Sequence, residues 1–501
     1  MKQELMIPQH SAAHRSRGPR PWWMPPALLL LVAALVATAV VPTSTGCRPR
    51  RQADRPGERT IEVWHGFNHE ETKVFLEIVE EFKAHHRETT GETLHVKVSY
   101  VSFNDMFTKL KTAALANITP DIAFMDSIKV TDLAFGQALV KIDELEGFRQ
   151  RYESILDARE QFVGASFDAG IVNRMGEENL YGIPVQTTCV ALFWNREMFR
   201  NKAAELRAAG LEASRAPRTW DELLAYSRVL SEPSKGIYGF GMSGSLWFLF
   251  PIFNMYGVDF VIYDDEGLGK AALNTPNGRA ALERIRQIAQ SGVEGGAWKR
   301  GGLGPDQGFT NELYAMIMTG PWMVENFTNS GLDFDVSLIP APSPQEVETL
   351  GLEPIEPAHV ERFGEAAWTS SNLGGQTGII MRTSQHADTA YEFLEYFTSE
   401  AVQRRWASGL GQIPVRRSAW LDLDTSKYPF LPKFMDQLAT SRRIPQVPLF
   451  SIMESNIFNP EIDLLLQNPK YPVESMTQNV DRGLDTQILA QMNDSIRRAR
   501  K

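Results

Sequence analysis

A chain of 501 residues that is 43% hydrophobic and 22% charged has a globular composition, which excludes disordered and collagen-like classes and favours two or more domains. Its net charge is -10, and -13 once residues 1–46 are set aside, which excludes a protein held to nucleic acid by charge alone.

The first 26 residues carry Lys2, Arg15, Arg17 and Arg20 against Glu4, and residues 27–41 then run without a charge. This is the layout of a secretory signal, and behind Pro25 and Pro26 the apolar run is short for a membrane span. An uncleaved anchor is the competing reading. The run ends in Ser44-Thr45-Gly46-Cys47, which is similar to a bacterial lipoprotein processing site and would put lipid on Cys47. Ser44 departs from the aliphatic residue usual there, and cleavage nearby with a free Cys47 thiol stands as the alternative. No later segment is apolar enough to span a bilayer, so the remainder is expected outside the cytoplasm. With Cys47 lipidated, Cys189 has no intramolecular disulfide partner and reads as a small buried hydrophobe.

Residues 48–58 are charged, hold two prolines and read as a flexible tether. Ile61 and Val63 then alternate with polar residues as in a strand, and Phe75, Ile78, Val79 and Phe82 follow at helical spacing. Leu94 to Tyr100 alternates again, Met106 to Ala114 is helical, and Asp121 to Met125 is a short buried strand. This β-α-β-α-β start predicts a mostly parallel sheet with helices on both faces. Further strands are expected over Val185 to Trp194, Phe334 to Ile339 and Gly378 to Met381. Helices are expected near Glu197 to Ala209, Trp220 to Leu230, Ala280 to Gln290, Thr389 to Phe397, Ala401 to Ala407 and Val480 to Arg498. Residues 340–372 have five prolines and no clear period, and read as an extended loop or insertion.

In sheets of this kind ligands bind where strands lead into helices, which singles out loops 64–70 and 125–129. The chain has no His-Glu-x-x-His, Gly-x-Ser-x-Gly, Gly-Lys-Ser/Thr or Cys-x-x-Cys motif, so no metal site, cofactor or catalytic residue is expected. His85 and His86 fall at the polar end of a helix and read as solvated.

Five stretches carry a family resemblance: Ile61-Glu-Val-Trp-His-Gly66, Thr119-Pro-Asp-Ile-Ala-Phe-Met-Asp126, Tyr181-Gly-Ile-Pro-Val-Gln186 with Phe193 to Phe199, Ala315-Met-Ile-Met-Thr-Gly-Pro-Trp322, and Gly409 to Arg416. From about Thr60 onward the chain resembles the family 1 extracellular solute-binding proteins of ABC importers, the maltose-binding-protein-like group. The resemblance implies an α/β fold of type II with two lobes, each a mixed, mostly parallel sheet flanked by helices, joined by three hinge crossings near 184–188, 336–340 and 413–416. One lobe would hold residues 59–185 and 341–412, the other 187–337 and 416–501, after a signal segment 1–47 and the tether. It implies a non-enzymatic monomer that takes a sugar or oligosaccharide in the inter-lobe cleft and delivers it to ABC permease subunits, with the membrane reached through a lipid anchor.

Carried onto these positions, the ligand contacts are Trp64, Asn68, Asp126, Ser127, Gln186, Thr188, Ser243, Trp247, Trp322, Gly374 and Gly375. Plainer readings stand beside several. Asn68 with Glu71 also makes a capping box, Asp126 and Ser127 a helix cap, Trp322 a core residue, and Gly374-Gly375 a turn. The rival functions are a binding protein for glycerol-phosphate-type solutes, with Arg416 or His65 receiving the anion, and a secreted carbohydrate-active hydrolase with paired carboxylates.

Overall fold

The computed structural model describes residues 54–499 apart from 175, 176, 355, 445, 446 and 448. The signal segment, Cys47 and most of the tether lie outside the described residues.

The amino-terminal alternation folds as it reads. Strand β1 (Glu58–His65), helix α1 (His69–Thr90), strand β2 (Thr93–Tyr100), helix α2 (Phe103–Ala116) and strand β3 (Ile122–Asp126) follow one another, with β1 parallel to both β2 and β3. Ile61, Val63 and His65 point to the face covered by α1, whose Phe75, Ile78, Val79 and Phe82 are buried against them. Each such side chain contributes roughly 1.5–3 kcal/mol by leaving water.

The chain then runs through β4 (Gly182–Cys189) and β5 (Ala191–Asn195), where the sequence suggested a single strand. The longer helices that follow are α3 (Trp220–Leu230), α4 (Leu246–Met255) and α5 (Pro276–Ala289). Strands β6 (Met316–Thr319) and β7 (Phe334–Ser337) both pair antiparallel with β5 to form a small second sheet. Strand β8 (Ser371–Ile380), helices α6 (Ala387–Phe397), α7 (Glu400–Leu410) and α8 (Leu431–Ala439), and strand β9 (Ser441–Arg443) complete the parts that matter for the site. The larger sheet has the order β9-β8-β3-β1-β2, with β4 also on β8. The fold is thus α/β, with two bodies that each surround their own sheet.

Residues 340–372 differ from expectation. They hold two short helices, Pro344–Leu350 and Ala358–Phe363, and the first opens with a complete capping box between Ser343 and Glu346. They pack on the second body: Glu346 pairs with Arg284 of α5 at 2.7 Å and accepts from Tyr256, and the Trp368 indole donates to the Leu352 carbonyl. Residues 341–370 therefore do not join the first lobe as expected. The second crossing is not at 336–340, where Val336 and Ser337 still pair within the small sheet, but in β8. At its start β8 is held by second-body groups, with Asn254 donating to the Ser371 carbonyl and Asn372 to the Trp247 carbonyl. From Gln376 onward β8 pairs with β3.

Candidate hinge and ligand face

Three stretches pass side by side between the bodies: β4, β8 and the segment after α7. Gly374, Gly375 and Gln376 of β8 lie opposite Thr188, Thr187 and Gln186 of β4, and Thr187 also bridges to Ile413. Gly375 has φ +143°, and a Cβ there would stand 1.8 Å from the Gln186 carbonyl oxygen. A Cβ on Gly374 would meet the Trp247 ring at 2.2 Å. These glycines are thus required by close approach of strand and ring rather than by a turn.

Each crossing contributes one buried glutamine. Gln186 Nε2 donates to Glu71 Oε1 and to Gln412 Oε1, both at 3.0 Å, while Gln412 Nε2 donates to the same Glu71 oxygen at 3.0 Å. Gln376 Nε2 donates to Gln186 Oε1 at 3.2 Å. Glu71 Oε2 accepts the Asn68 backbone N–H at 2.9 Å, and Asn68 Oδ1 accepts the Glu71 N–H in return, closing the capping box. Burial pushes the Glu71 carboxyl up to about 7, against the pull of the Asn68 and Gln186 donors. Thr188 Oγ1 and Gln376 Oε1 are buried beside this group without a hydrogen-bond partner. Among the described residues, such atoms are where a ligand hydroxyl or a water would be taken up.

Asn68 also reaches the other body: its Nδ2 donates to the Trp322 carbonyl at 3.3 Å. Trp322 and Trp247 are half-buried, and the Trp322 ring meets Phe248 edge-on with centroids 6.5 Å apart. Trp322 is placed by β6 running into Gly320-Pro321, and Trp247 and Phe248 by the start of α4. Ser243 sits in the loop before α4 and accepts from Ser245 N–H.

On the first body, Asp126 caps the turn after β3 by accepting from Ile128 N–H, and Ser127 is buried. Burial pushes the Asp126 carboxyl up to about 6. Next to it Lys129 crosses to Glu454 at 3.2 Å and lies over the Phe450 ring. Asp132 accepts from Leu449 N–H and Ser451 hydroxyl of the second body.

The structure therefore brings Asn68, Gln186, Thr188, Trp247, Trp322, Gly374 and Gly375 to one region, with Asp126 and Ser127 at a second contact between the bodies. Trp64 is a departure from expectation. It packs on the sheet face covered by α2, its indole N–H donates to Glu62 at 2.7 Å, and Lys109 lies over its ring. The sequence reading missed Gln376, Gln412 and Phe248, and took Glu71 only as a cap. A glutamine in each of three separate segments leaves no local pattern, whereas Phe248 was readable beside Trp247.

Of the two anion candidates, one is fully paired and the other is buried and uncharged. Arg416 is buried and bonds Glu395, Tyr152, Gln161 and the Thr398 carbonyl, with its guanidinium 4.0 Å over Phe162. His65 is buried among Phe67, Phe75 and Tyr100, and burial lowers it to about 4, so it is neutral near pH 7. His86, expected in solvent, is buried, with Nδ1 2.9 Å from Glu392.

The family profile for bacterial extracellular solute-binding proteins matches residues 68–404. The maltotriose-binding protein of Pyrococcus abyssi is 20% identical over 423 residues, covering 83% of this chain and 79% of that protein. The GacH receptor of Streptomyces glaucescens, solved unliganded and with acarbose, superposes with a TM-score of 0.68 at 18% identity over 86% of this chain and 98% of its own. The cyclic alpha-maltosyl-1,6-maltose binding protein of Arthrobacter globiformis gives a TM-score of 0.65 at 23% identity, over 87% and 100%. Since the profile runs through both bodies and all but the last of the three crossings, the chain belongs to the bacterial extracellular solute-binding protein family.

Proposed function

We propose that this chain binds a sugar or oligosaccharide, unreacted, between its two bodies, and passes it to the membrane subunits of an ABC importer. The observation that carries this is the pairing of two half-buried indoles, Trp247 and Trp322, with planar amides and unpartnered polar oxygens at the crossings. Rings of this kind stack on the C–H faces of a pyranose, while Asn68, Gln186, Thr188 and the Gln376 carbonyl oxygen match its hydroxyls. Gly374 lets Trp247 sit against the strand, and Asp126, Ser127 and Ser243 are proposed as further polar contacts. The maltotriose-binding relative, the GacH receptor solved with acarbose and the cyclic alpha-maltosyl-1,6-maltose binding protein support the same ligand class. With Arg416 and His65 both unavailable, a phosphate ester has less to hold it than a neutral sugar.

The protein acts outside the cytoplasm as a monomer, held to the membrane through lipid on Cys47. The test is mass spectrometry of ligand released from gently purified protein, followed by calorimetric titration with maltotriose and with cyclic and linear relatives. Saccharide in the released fraction and binding without turnover are expected. A phosphorylated solute in that fraction, or hydrolysis of the titrant, would overturn the reading.

A further inference from the structure

Away from the three crossings, the two bodies also meet at a rim beside the carboxyl end of β3. On the first body, the short helix Val130–Phe135 is fixed by Val130, Leu133 and Ala134, all buried in that body's core. On the second, residues 450–467 run as one helical stretch whose Phe450, Met453, Phe458 and Ile462 are buried in the other core. Each piece is thus held in place by its own body.

The helical stretch has no side-chain cap from its own segment. Leu449, the residue before it, is left-handed with φ +62°, and its apolar side chain has no oxygen to offer the free N–H groups of a first turn. The Leu449 N–H is taken instead by Asp132 Oδ1 at 2.9 Å, and Asp132 Oδ2 accepts the Ser451 hydroxyl at 3.2 Å. A carboxylate of the first body thereby does for the second what Ser343 does from within its own segment for the helix Pro344–Leu350. Glu454, further along the same stretch, reaches Lys129 at 3.2 Å. Both of those charges act on Asp126, so the rim adjoins a proposed ligand contact.

We propose that Asp132 is a positioning residue for ligand capture: by capping the turn at Leu449 from the opposite body, it favours the closed arrangement without touching the ligand. The proposal deepens the reading of a ligand held between the bodies and rests on it. Neither partner of the cap needs the other to fold, because each is anchored in its own core. What the two bonds stabilise is the approach of the bodies. When only the closed arrangement retains ligand, apparent affinity scales with the fraction of molecules that are closed, and a contact that raises this fraction tightens binding from a distance. The effect falls mainly on the dissociation rate, since a captured ligand leaves when the rim opens.

Charge is not what the cap requires. An asparagine at the same position supplies an amide oxygen for the Leu449 N–H and an NH2 that can donate to the Ser451 hydroxyl oxygen. The neighbouring Lys129–Glu454 pair does depend on charge and is weakened by salt. The two contacts on this rim are therefore separable.

The experiment compares the wild type, Asp132→Ala and Asp132→Asn in high salt, where the Lys129 pair is screened, by small-angle scattering of unliganded protein, stopped-flow release of maltotriose and thermal unfolding. Asp132→Ala is expected to show a larger radius of gyration than the wild type and to release maltotriose roughly tenfold faster, at an unchanged melting temperature. Asp132→Asn should match the wild-type dimensions and stay within about twofold of its release rate. Should Asp132→Ala fail to fold, Ser451→Ala removes one of the two bonds from the other side and should speed release by about threefold. An Asp132→Ala chain with wild-type dimensions, an Asp132→Asn chain as open as Asp132→Ala, or a Ser451→Ala chain that releases at the wild-type rate would each overturn the proposal. So would a fall in melting temperature with dimensions and release unchanged, which would leave Asp132 a purely structural cap. The scattering needs no ligand, so an Asp132→Ala chain that opens, when neither it nor the wild type binds maltotriose, would count against the sugar reading and not against Asp132.

Discussion

Among the proposed ligand contacts, those of the first body include helix and turn caps, whereas those of the second body are mostly rings. Asn68 closes the capping box of α1, and Asp126 caps the turn after β3, so each has much of its hydrogen-bonding capacity committed to its own backbone. Trp247, Phe248 and Trp322 present half-buried faces with no such duty, although the main chain carrying two of them accepts bonds from Asn372 and Asn68. The difference teaches a division of labour. Side chains pinned by backbone bonds supply direction, because their orientation is settled before a ligand arrives, and rings supply area, which scales with what they cover. Substitutions on the two sides should therefore register in different measurements.

The largest effect is expected where both sides meet. Gly375→Ala places a Cβ against the Gln186 carbonyl at a φ of +143°, so the strand must move. A loss of about 2–4 kcal/mol in urea unfolding is expected, together with loss of ligand binding. Stability equal to the wild type would mean that β8 does not hold this register. Next comes Trp322→Ala, expected to weaken maltotriose binding by about 2 kcal/mol, near thirtyfold, and to lower stability by less than Gly375→Ala does, because the ring is only partly buried against the core. A drop in melting temperature with affinity intact would reverse the assignment and return Trp322 to the core.

Much of this was legible in the residues and some was not. The first body is written in local periodicity: alternation in β1 and β2 and 3.6-residue spacing in α1 are properties of short windows, and they survive folding unchanged. The three crossings are not, because Gln186, Gln376 and Gln412 are far apart in the chain and become neighbours only through the β4–β8 pairing. The helices within 340–372 are an instructive miss. Ser343-Pro344-Gln345-Glu346 is a start signal in its own right, but five prolines nearby outweighed it in a reading based on period. His86 misled for a different reason: it sits near the end of an exposed-looking helix, yet α6 brings Glu392 onto it.

Smaller effects sharpen the division between caps and rings. Asn68→Ala removes a cap and the bond to the Trp322 carbonyl. About 1 kcal/mol should be lost in thermal unfolding, with a smaller loss in affinity than Trp322→Ala produces. An affinity loss exceeding the stability loss would make Asn68 a ligand contact first and a cap second.

The smallest effect belongs to Lys129→Met. Its ion pair with Glu454 crosses between the bodies, but the two side chains remain 14% and 28% exposed, where such pairs contribute roughly 0.5–1 kcal/mol and are weakened by salt. The same contact is held independently by Asp132, which bonds Leu449 N–H and Ser451 hydroxyl without reference to the charge on Lys129. The methionine keeps an apolar stem over the Phe450 ring, so packing is preserved while charge is lost. The expected outcome is a closed population, read by scattering at low salt, that falls slightly and becomes less sensitive to added salt than in the wild type. A Lys129→Met chain that opens fully would place control of closure at the Lys129–Glu454 pair and not at Asp132.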